Sequence, residues 1–337
     1  MPLSLFRSLR QPGLDWIQVE VTTWCGGACI YCPRTVYQES WRSRHLSLDT
    51  FRRLLPALAQ ARLVHLQGWG EPLLHPHFFE MAALAKQAGA RVSTTTNGML
   101  LDEGMPTALV ESGLEVVAFS LAGLGETNDH YRPGTSFGRV VAAIDALHQA
   151  KNRLGRSRPE IHLAYMLLRG GLKDLPRLPQ TLGGLGISQV VISTLDFVAS
   201  RELAGEALGL GSEGEQKELA RRLVEVASAG EHYGMKIHHP YNRPRPPGGG
   251  CRENAARALV VGADGMASPC VFANLAPSGV TYRHQGQERP YRRLAFGNLN
   301  DRPLKDIWED PGYSAWRRAL WRRELTPPCQ GCPKALI

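Results

Sequence analysis

The sequence predicts an α/β fold in which a series of parallel βα units is followed by a smaller cysteine-rich module. From residue 16 to about residue 240, short β-branched runs alternate with helix-like segments, as in parallel βα folds. A Pro/Gly-rich stretch at residues 242–250 ends this alternation, and Cys251 follows it directly. We therefore expect one domain over residues 1–240, a linker over 241–250 and a second domain over 251–337.

Six strands are predicted in the first domain, each of them a short run rich in apolar or β-branched residues. In chain order they are Trp16–Thr22, Leu63–Gln67, Arg91–Thr95, Glu115–Leu121, Glu160–Leu167 and Ile187–Thr194. A seventh short apolar run, Met235–His238, precedes the linker. Barrel-type parallel folds place function at the carboxyl ends of their strands, so the residues that follow these strands are candidates for a site.

Helix-like patterns of apolar residues separate the strands. They are Leu48–Ala61, His77–Ala88, Glu103–Glu111, Phe137–Arg153, Lys173–Leu182 and Glu215–His232. The fifth segment contains Pro176 and Pro179, which disfavour a regular helix there. In the second domain, the pattern predicts a strand at Ala258–Val261 and a helix within Pro303–Glu324.

Composition and charge exclude several classes of protein. The chain has 337 residues and no run approaching the ~18 apolar residues of a membrane span, and its first residues lack a signal-peptide core, so we expect a cytoplasmic protein. Since about fifteen residues precede the first strand, we expect no fused leader-peptide recognition domain. The net charge of +8 favours an acidic partner, such as a flavodoxin- or ferredoxin-type electron donor. The arginines are scattered along the chain, and a dedicated nucleic-acid surface is therefore not expected.

Three of the seven cysteines, Cys25, Cys29 and Cys32, follow the first predicted strand. The odd total of seven cysteines and their clustering at metal-ligand spacings argue for a reducing compartment and against a disulfide framework. An iron-sulfur cube normally takes four thiolates, so three leave one iron open, as a catalytic metal site requires.

The spacing CxxxCxxC resembles the signature of the radical S-adenosylmethionine (SAM) superfamily. The resemblance implies that the open iron of a [4Fe-4S] cluster is chelated by the amino and carboxylate groups of SAM. It further implies reductive cleavage of SAM to a 5′-deoxyadenosyl radical, which abstracts a hydrogen atom from the substrate. For the first domain, it implies a partial (β/α)6 TIM-like barrel.

Other motifs of the chain are similar to those of the same family. Tyr31 precedes the third cysteine, where the family usually has an aromatic residue beside the adenine. The stretch Gly68-Trp69-Gly70-Glu71-Pro72 resembles the family's GGEP motif, whose carbonyls accept hydrogen bonds from the SAM ammonium. The resemblance implies that Gly70 and Glu71 belong to the cofactor site, although Trp69 stands where the motif usually has glycine.

Four further residues match SAM contacts of the family at the ends of the third and fourth strands and beyond. Thr96 and Asn97 belong to a TNG-like turn, which is equally typical of an ordinary strand-to-helix connection. Ser120 matches a polar residue that reaches the ribose or carboxylate of SAM. Arg132 matches an arginine that pairs with the SAM carboxylate, for which a guanidinium is suited by its two parallel donors; a surface salt bridge is the alternative.

The remaining four cysteines are enough for a second, closed metal site. They are Cys251, Cys270, Cys329 and Cys332. Their arrangement resembles the SPASM and Twitch auxiliary-cluster domains, which implies a small cysteine-rich α+β domain with one auxiliary [4Fe-4S] cluster, since a full SPASM domain carries seven cysteines and two clusters. Zinc is the alternative occupant.

The sequence thus predicts a radical SAM enzyme, and the subfamily resemblance favours the maturation of peptides or proteins, including metalloenzymes. A small-molecule dehydrogenase is the first alternative, and a non-catalytic metal-binding or electron-transfer module is the second. Asp196, just past the sixth strand, and Tyr165 and Met166 on the fifth are candidates for the substrate side of the pocket, Asp196 as a general base. An ordinary loop acid is the other interpretation of Asp196.

Overall fold

The structure is a computed structural model that describes residues 14–208, 212–241, 250–284, 286–327, 329–330, 332 and 334–335. Most of the predicted linker, residues 242–249, lies outside these ranges. The strands of the described part are β1 Trp16–Val19, β2 Leu63–Leu66, β3 Val92–Thr96, β4 Val116–Leu121, β5 Glu160–Leu167, β6 Ile187–Thr194, β7 Lys236–His238, β8 Ala258–Val261, β9 Met266–Ser268, β10 Thr281–His284, β11 Gln287–Pro290 and β12 Gly297–Asn298.

The first seven strands pair in parallel and in chain order, forming a partial barrel. Along β5 the side chains alternate, with Ile161, Leu163 and Leu167 buried towards the helices. Ala164 and Met166 of the same strand face the barrel interior, where they line a cavity. The α/β prediction is confirmed, and all six predicted strands are present.

The second part of the chain continues the same sheet. Strand β8 pairs in parallel with β1, with Ile17 opposite Leu259, and β9 and β12 follow β8 in antiparallel pairing. The complete order is β12-β9-β8-β1-β2-β3-β4-β5-β6-β7, while β10 and β11 form a separate hairpin. The cysteine-rich module is therefore attached to the barrel through the backbone of its first strand.

Helices alternate with the strands along the chain. They are α1 Pro33–Val36, α2 Leu48–Arg52, α3 Leu55–Leu58, α4 Phe78–Gln87, α5 Met105–Glu111, α6 Glu126–Tyr131, α7 Phe137–Arg153, α8 Leu178–Leu182, α9 Glu213–His232, α10 Leu304–Trp308 and α11 Pro311–Trp321. Helix α7 has the predicted bounds and buries Val140, Ile144 and Leu147 completely, as their spacing on one helical face requires.

Three predicted helices are interrupted, in each case near proline. The segment Leu48–Ala61 forms α2 and α3, because the ring of Pro56 clashes with the carbonyl group four residues earlier. Lys173–Leu182 contains a 3₁₀ turn and only the short α8. Pro303–Glu324 divides into α10 and α11, since Asp310 precedes Pro311 and is disfavoured in helical conformation.

No helix in the described parts of the chain combines the length and the apolarity that are needed to cross a membrane.

Candidate active site

The loop of the first three cysteines lies beyond the carboxyl end of β1 and is fixed by main-chain hydrogen bonds. Ala28 N donates to Pro133 O at 2.7 Å, and Ile30 N donates to Tyr131 O at 3.1 Å. A Cβ atom added to Gly27 would lie 3.6 Å from Cys25 Sγ and 3.9 Å from Cys29 Sγ, so both thiols adjoin the same glycine. Burial, then the neighbouring Cys29, raises the pKa of Cys32 to about 12. A thiolate at this place therefore needs a cation, which a bound metal supplies.

All the residues predicted to contact the cluster or SAM line one cavity of about 290 Å³ at the carboxyl ends of the strands. They are Cys25, Cys29, Tyr31, Cys32, Gly70, Glu71, Thr96, Asn97, Ser120 and Arg132. The candidates for the substrate side, Tyr165, Met166 and Asp196, line the same cavity. The structure thus brings every predicted residue of the first site together, while their individual binding roles stay predictions.

Glycines at positions 68 and 70 let the turn after β2 approach the segment that follows β1. A Cβ atom on Gly70 would lie 2.4 Å from Thr22 O and 2.5 Å from Trp24 O, and one on Gly68 would overlap Glu20. These glycines are required by contact with the protein's own main chain. Trp69 N donates to Glu20 Oε1 at 2.9 Å, and the Trp69 ring lines the cavity.

The Glu71 carboxylate accepts hydrogen bonds from other groups of the protein. Its Oε1 accepts from the Thr96 hydroxyl at 2.8 Å, and its Oε2 accepts from Asn97 N at 2.7 Å. These contacts connect the ends of β2 and β3. The Asn97 side chain in turn donates from Nδ2 to Cys25 Sγ at 3.7 Å, which places a neutral donor beside one of the thiols.

Arg132 is a buried guanidinium group, with 5% of the residue exposed, at the wall of the cavity. Its Nη1 donates to Tyr31 Oη at 2.9 Å. Within the described residues, its Nε has no hydrogen-bond partner and no carboxylate forms an ion pair with it. A buried charge of this kind is stabilised by a ligand carboxylate, so the residue fits the carboxylate of SAM.

The other four cysteines also meet in one neighbourhood. Cys270, Cys329 and Cys332 line a second cavity of about 610 Å³, and Cys251 forms a β-bridge with Ala335, just past Cys332. No three His, Cys, Asp or Glu side chains in the described ranges converge closely enough to bind a single metal ion. Neighbouring thiols nevertheless raise the pKa of Cys251, Cys270 and Cys329: burial, then Cys332 and Cys251, raises that of Cys329 to about 12.

Asp196, Phe197 and Phe272 line both cavities and form the wall between them. The Phe197 and Phe272 rings stack with centroids 6.1 Å apart. The Asp196 carboxylate pairs with Lys334, whose Nζ lies 2.7 Å from Asp196 Oδ2 and 3.0 Å from Glu253 Oε1.

Sequence reasoning missed the rest of this wall and the polar contacts around it. Lys334 has one signal in the sequence, its place two residues after Cys332, but nothing there indicates its partners. For two other residues, position is the only signal in the sequence. Glu20 lies between β1 and the cysteine loop, and Phe272 lies two residues after Cys270.

Comparison with known proteins agrees with these two sites. The model of the radical SAM superfamily matches residues 19–170, and that of the SPASM iron-sulfur cluster-binding domain matches residues 251–333. The chain is 26% identical to a tungsten-containing aldehyde ferredoxin oxidoreductase cofactor-modifying protein of Pyrococcus furiosus, over 95% of this chain and 87% of that protein. It is 24% identical to a PqqA peptide cyclase of Granulibacter bethesdensis, over 94% of this chain and 79% of that protein.

Solved structures share the fold. The chain superposes on anSMEcpe with bound AdoMet and Cp18Cys peptide with a TM-score of 0.68 and 16% identity, covering 95% of this chain and 88% of that one. SuiB of Streptococcus suis bound to S-adenosylmethionine also gives a TM-score of 0.68, with 14% identity over 91% of this chain and 68% of that one. The partial barrel, the two cysteine sets and the two matching family models lead to one conclusion: this chain belongs to the radical SAM superfamily and is a radical SAM enzyme with a C-terminal SPASM domain.

Proposed function

We propose that the chain uses Cys25, Cys29 and Cys32 to hold the catalytic [4Fe-4S] cluster and Arg132 to bind the SAM carboxylate, in order to modify a peptide or protein substrate, including metalloenzymes. The observation that carries this proposal is the single cavity lined by the three cysteines and the buried Arg132, which has no carboxylate partner in the described residues. Thiolates and a guanidinium group together suit a cluster with an amino-acid ligand on its open iron.

When bound, the cluster and SAM supply one-electron chemistry and a radical that abstracts hydrogen. The chain's own residues orient and enclose these groups. Asn97 donates to Cys25 Sγ and steadies one thiolate, while Glu71 fixes the turn that bears Asn97. Trp69 and Phe272 narrow the cavity with apolar rings and help to exclude water.

The SPASM domain adds an auxiliary iron-sulfur cluster, for which we propose Cys251, Cys270, Cys329 and Cys332 as the ligands. The match of residues 251–333 to an iron-sulfur cluster-binding domain favours a cluster over zinc. A second cluster can accept an electron from a substrate, whereas zinc is redox-inert. The two cavities share a wall, which supports a role for such an acceptor beside the substrate.

The proposed substrate class is based on what the similar proteins are named to act on. One relative modifies the cofactor of a tungsten enzyme, and several are named PqqA peptide cyclases. Another is an Fe-coproporphyrin III synthase of Methanosarcina barkeri, 26% identical over 90% of this chain and 75% of that protein, so a small-molecule substrate is the second candidate. The remaining parts of the proposal are an acidic flavodoxin or ferredoxin as electron donor, suited to the net charge of +8, and a cytoplasmic location.

Anaerobic reconstitution with SAM and dithionite tests the enzymatic core of the proposal. We expect 5′-deoxyadenosine from the intact chain and none from Cys29→Ala, which loses one of three thiolates at the catalytic cluster. Cys332→Ala is the matched control, because it removes a thiol at the auxiliary site and should retain SAM cleavage. An intact first cluster that yields no 5′-deoxyadenosine would refute the enzymatic proposal.

The substrate class is tested by incubating the reconstituted enzyme with the short peptides and metalloenzymes encoded beside its gene. A SAM-dependent mass change in a peptide or protein, absent with Cys29→Ala, supports the first candidate. A change confined to a free small molecule supports the second.

A further inference from the structure

Lys334 lines the cavity of the auxiliary cysteines and joins three parts of the chain. Its Nζ contacts Asp196 Oδ2 at 2.7 Å, beyond the carboxyl end of β6, and Glu253 Oε1 at 3.0 Å, two residues after Cys251. The Lys334 side chain is 14% exposed, and it lies 5.9 Å from the centre of the Phe272 ring. A buried ammonium group held by two carboxylates keeps a defined position.

The place of Lys334 connects its charge to both sites. Along the chain it lies two residues after Cys332, and its own carbonyl accepts a hydrogen bond of 2.8 Å from Arg252 N, next to Cys251. Its ion-pair partner Asp196 lines both the cavity of the first three cysteines and that of the auxiliary cysteines. A change of charge at Asp196 is therefore close to the auxiliary ligands.

The three charges are not balanced, since one ammonium group faces two carboxylates. Glu253 is the second partner of Lys334 beside Asp196. Asp196 also accepts from the Thr194 hydroxyl at 3.2 Å, a contact that keeps its Oδ1 on the barrel side. The arrangement leaves Asp196 as the member that faces the active-site cavity.

We propose that Lys334 is a positioning residue that holds Asp196 in the wall between the two cavities and that its charge raises the reduction potential of the auxiliary cluster. This inference rests on the auxiliary ligands proposed above. Reduction adds negative charge to a cluster, and a nearby fixed cation favours the reduced form. In a site shielded from water, the interaction is screened far less than at the surface.

The test is an anaerobic redox titration of the holoenzyme without SAM, followed by the electron paramagnetic resonance signal of the auxiliary cluster. Lys334→Gln removes a cation and should shift the midpoint potential to more negative values. Asp196→Asn removes an anion and should shift it to more positive values. Lys334→Arg keeps the charge and should retain the original value.

Lys217→Gln is the matched control, because Lys217 forms an exposed ion pair with Glu213 on α9 and should leave the potential unchanged. Hydrogen exchange of the holoenzyme gives a second readout: amides of residues 195–198 should exchange about tenfold faster in Lys334→Gln than in the control. If Lys334→Gln fails to load its auxiliary cluster, the midpoint potential of Asp196→Asn still tests the inference, since Asp196 lies outside the cysteine loops.

Potentials that do not change in either variant, or that shift in the same direction in both, would overturn the inference. A chain that loads both clusters but does not cleave SAM contradicts the proposed function alone. The titration without SAM is unaffected by that failure.

Discussion

The role of Arg132 has two interpretations, and the surroundings of the residue distinguish them. From the sequence it is either a SAM ligand or one half of a surface salt bridge. The structure buries it and gives it Tyr31 as a neutral partner, and among the described residues no carboxylate forms a salt bridge with it, although its charge acts on the nearby Glu71. The surface interpretation is thus wrong for its position, and the ligand interpretation stays a prediction.

Replacing Arg132 by lysine tests that prediction. Lysine keeps the charge but loses the parallel donors, so the dissociation constant of SAM for the cluster-loaded enzyme should rise about 10- to 100-fold. Equilibrium dialysis of SAM measures this change. Arg139→Lys is the control, because Arg139 is exposed and donates to Met99 O at 2.9 Å, away from the cavity. Equal affinities in the two variants would contradict the assignment.

Residue types with local chemistry were the most predictable. Cysteine spacing indicates a ligand set without knowledge of the fold. The first three cysteines line one cavity and three of the other four line a second, while their roles as ligands stay predictions. Glu71 is predicted as a cofactor residue through its motif, and this stays a prediction; its carboxylate accepts from Thr96 and Asn97, which the sequence did not indicate. The ion pair of Lys334 and Asp196 had no signal in the sequence, because its members are far apart along the chain.

At the scale of elements, the buried strands were predicted within a few residues, since a parallel strand is apolar on the face that meets the helices. Helix α6 was missed because Glu126–Tyr131 is short and mostly polar, without a periodic apolar face. The hairpin β10–β11 was missed as well, since β11 is mostly exposed and neither strand has a run of apolar residues.

Glu20 joins three elements and gives the molecule a predictable dependence on pH. Its carboxylate accepts from Trp69 N, after β2, and at 3.1 Å from Ala263 N, in the turn between β8 and β9. Burial raises the pKa of Glu20 from 4.5 to about 7. The folded chain then binds this proton more tightly than the unfolded chain, so its contribution to stability is greatest at low pH and is lost as the pH rises through about 7.

Replacing Glu20 by glutamine tests this pH dependence of stability. In urea unfolding of the anaerobic holoenzyme, the stability of the wild type relative to Glu20→Gln should fall by about 2 kcal/mol between pH 5 and pH 8, because glutamine does not titrate. The exposed Glu288→Gln should follow the wild-type profile. Parallel profiles for the wild type and Glu20→Gln would contradict the assignment.

For the whole molecule, the position of β8 beside β1 was not predictable from the sequence. Local patterns indicate that Ala258–Val261 is a strand, but they do not indicate which strand it pairs with, since the partner lies at the other end of the barrel sequence. The boundaries of the two domains stay a prediction, while the sheet itself runs through both parts.

Removal of the C-terminal module should therefore damage the barrel. A chain ended after Tyr241 leaves the main-chain groups of β1 unpaired at an apolar edge, and we expect it to aggregate in size-exclusion chromatography. The double variant Cys251→Ala/Cys270→Ala is the control, because it removes ligands and keeps β8. A monodisperse truncated chain would show that the barrel does not need this strand.

Metal content is the second prediction for the whole molecule. The reconstituted chain should contain about eight irons and eight sulfides, and Cys332→Ala about four of each, as expected for two four-iron clusters. Iron and sulfide assays with elemental analysis for zinc check this. About four irons together with one zinc would reduce the second site to a structural role.

The pairing of β8 with β1 also affects the order of events during synthesis. Domains generally fold as the ribosome releases them, beginning with the N-terminal part. Here the earliest strand obtains its second neighbour only when Ala258–Val261 has emerged, and the loop of Cys25 follows directly from that strand. During synthesis the barrel therefore stays open on the flank of β1, beside the cysteine loop, until these later residues have emerged.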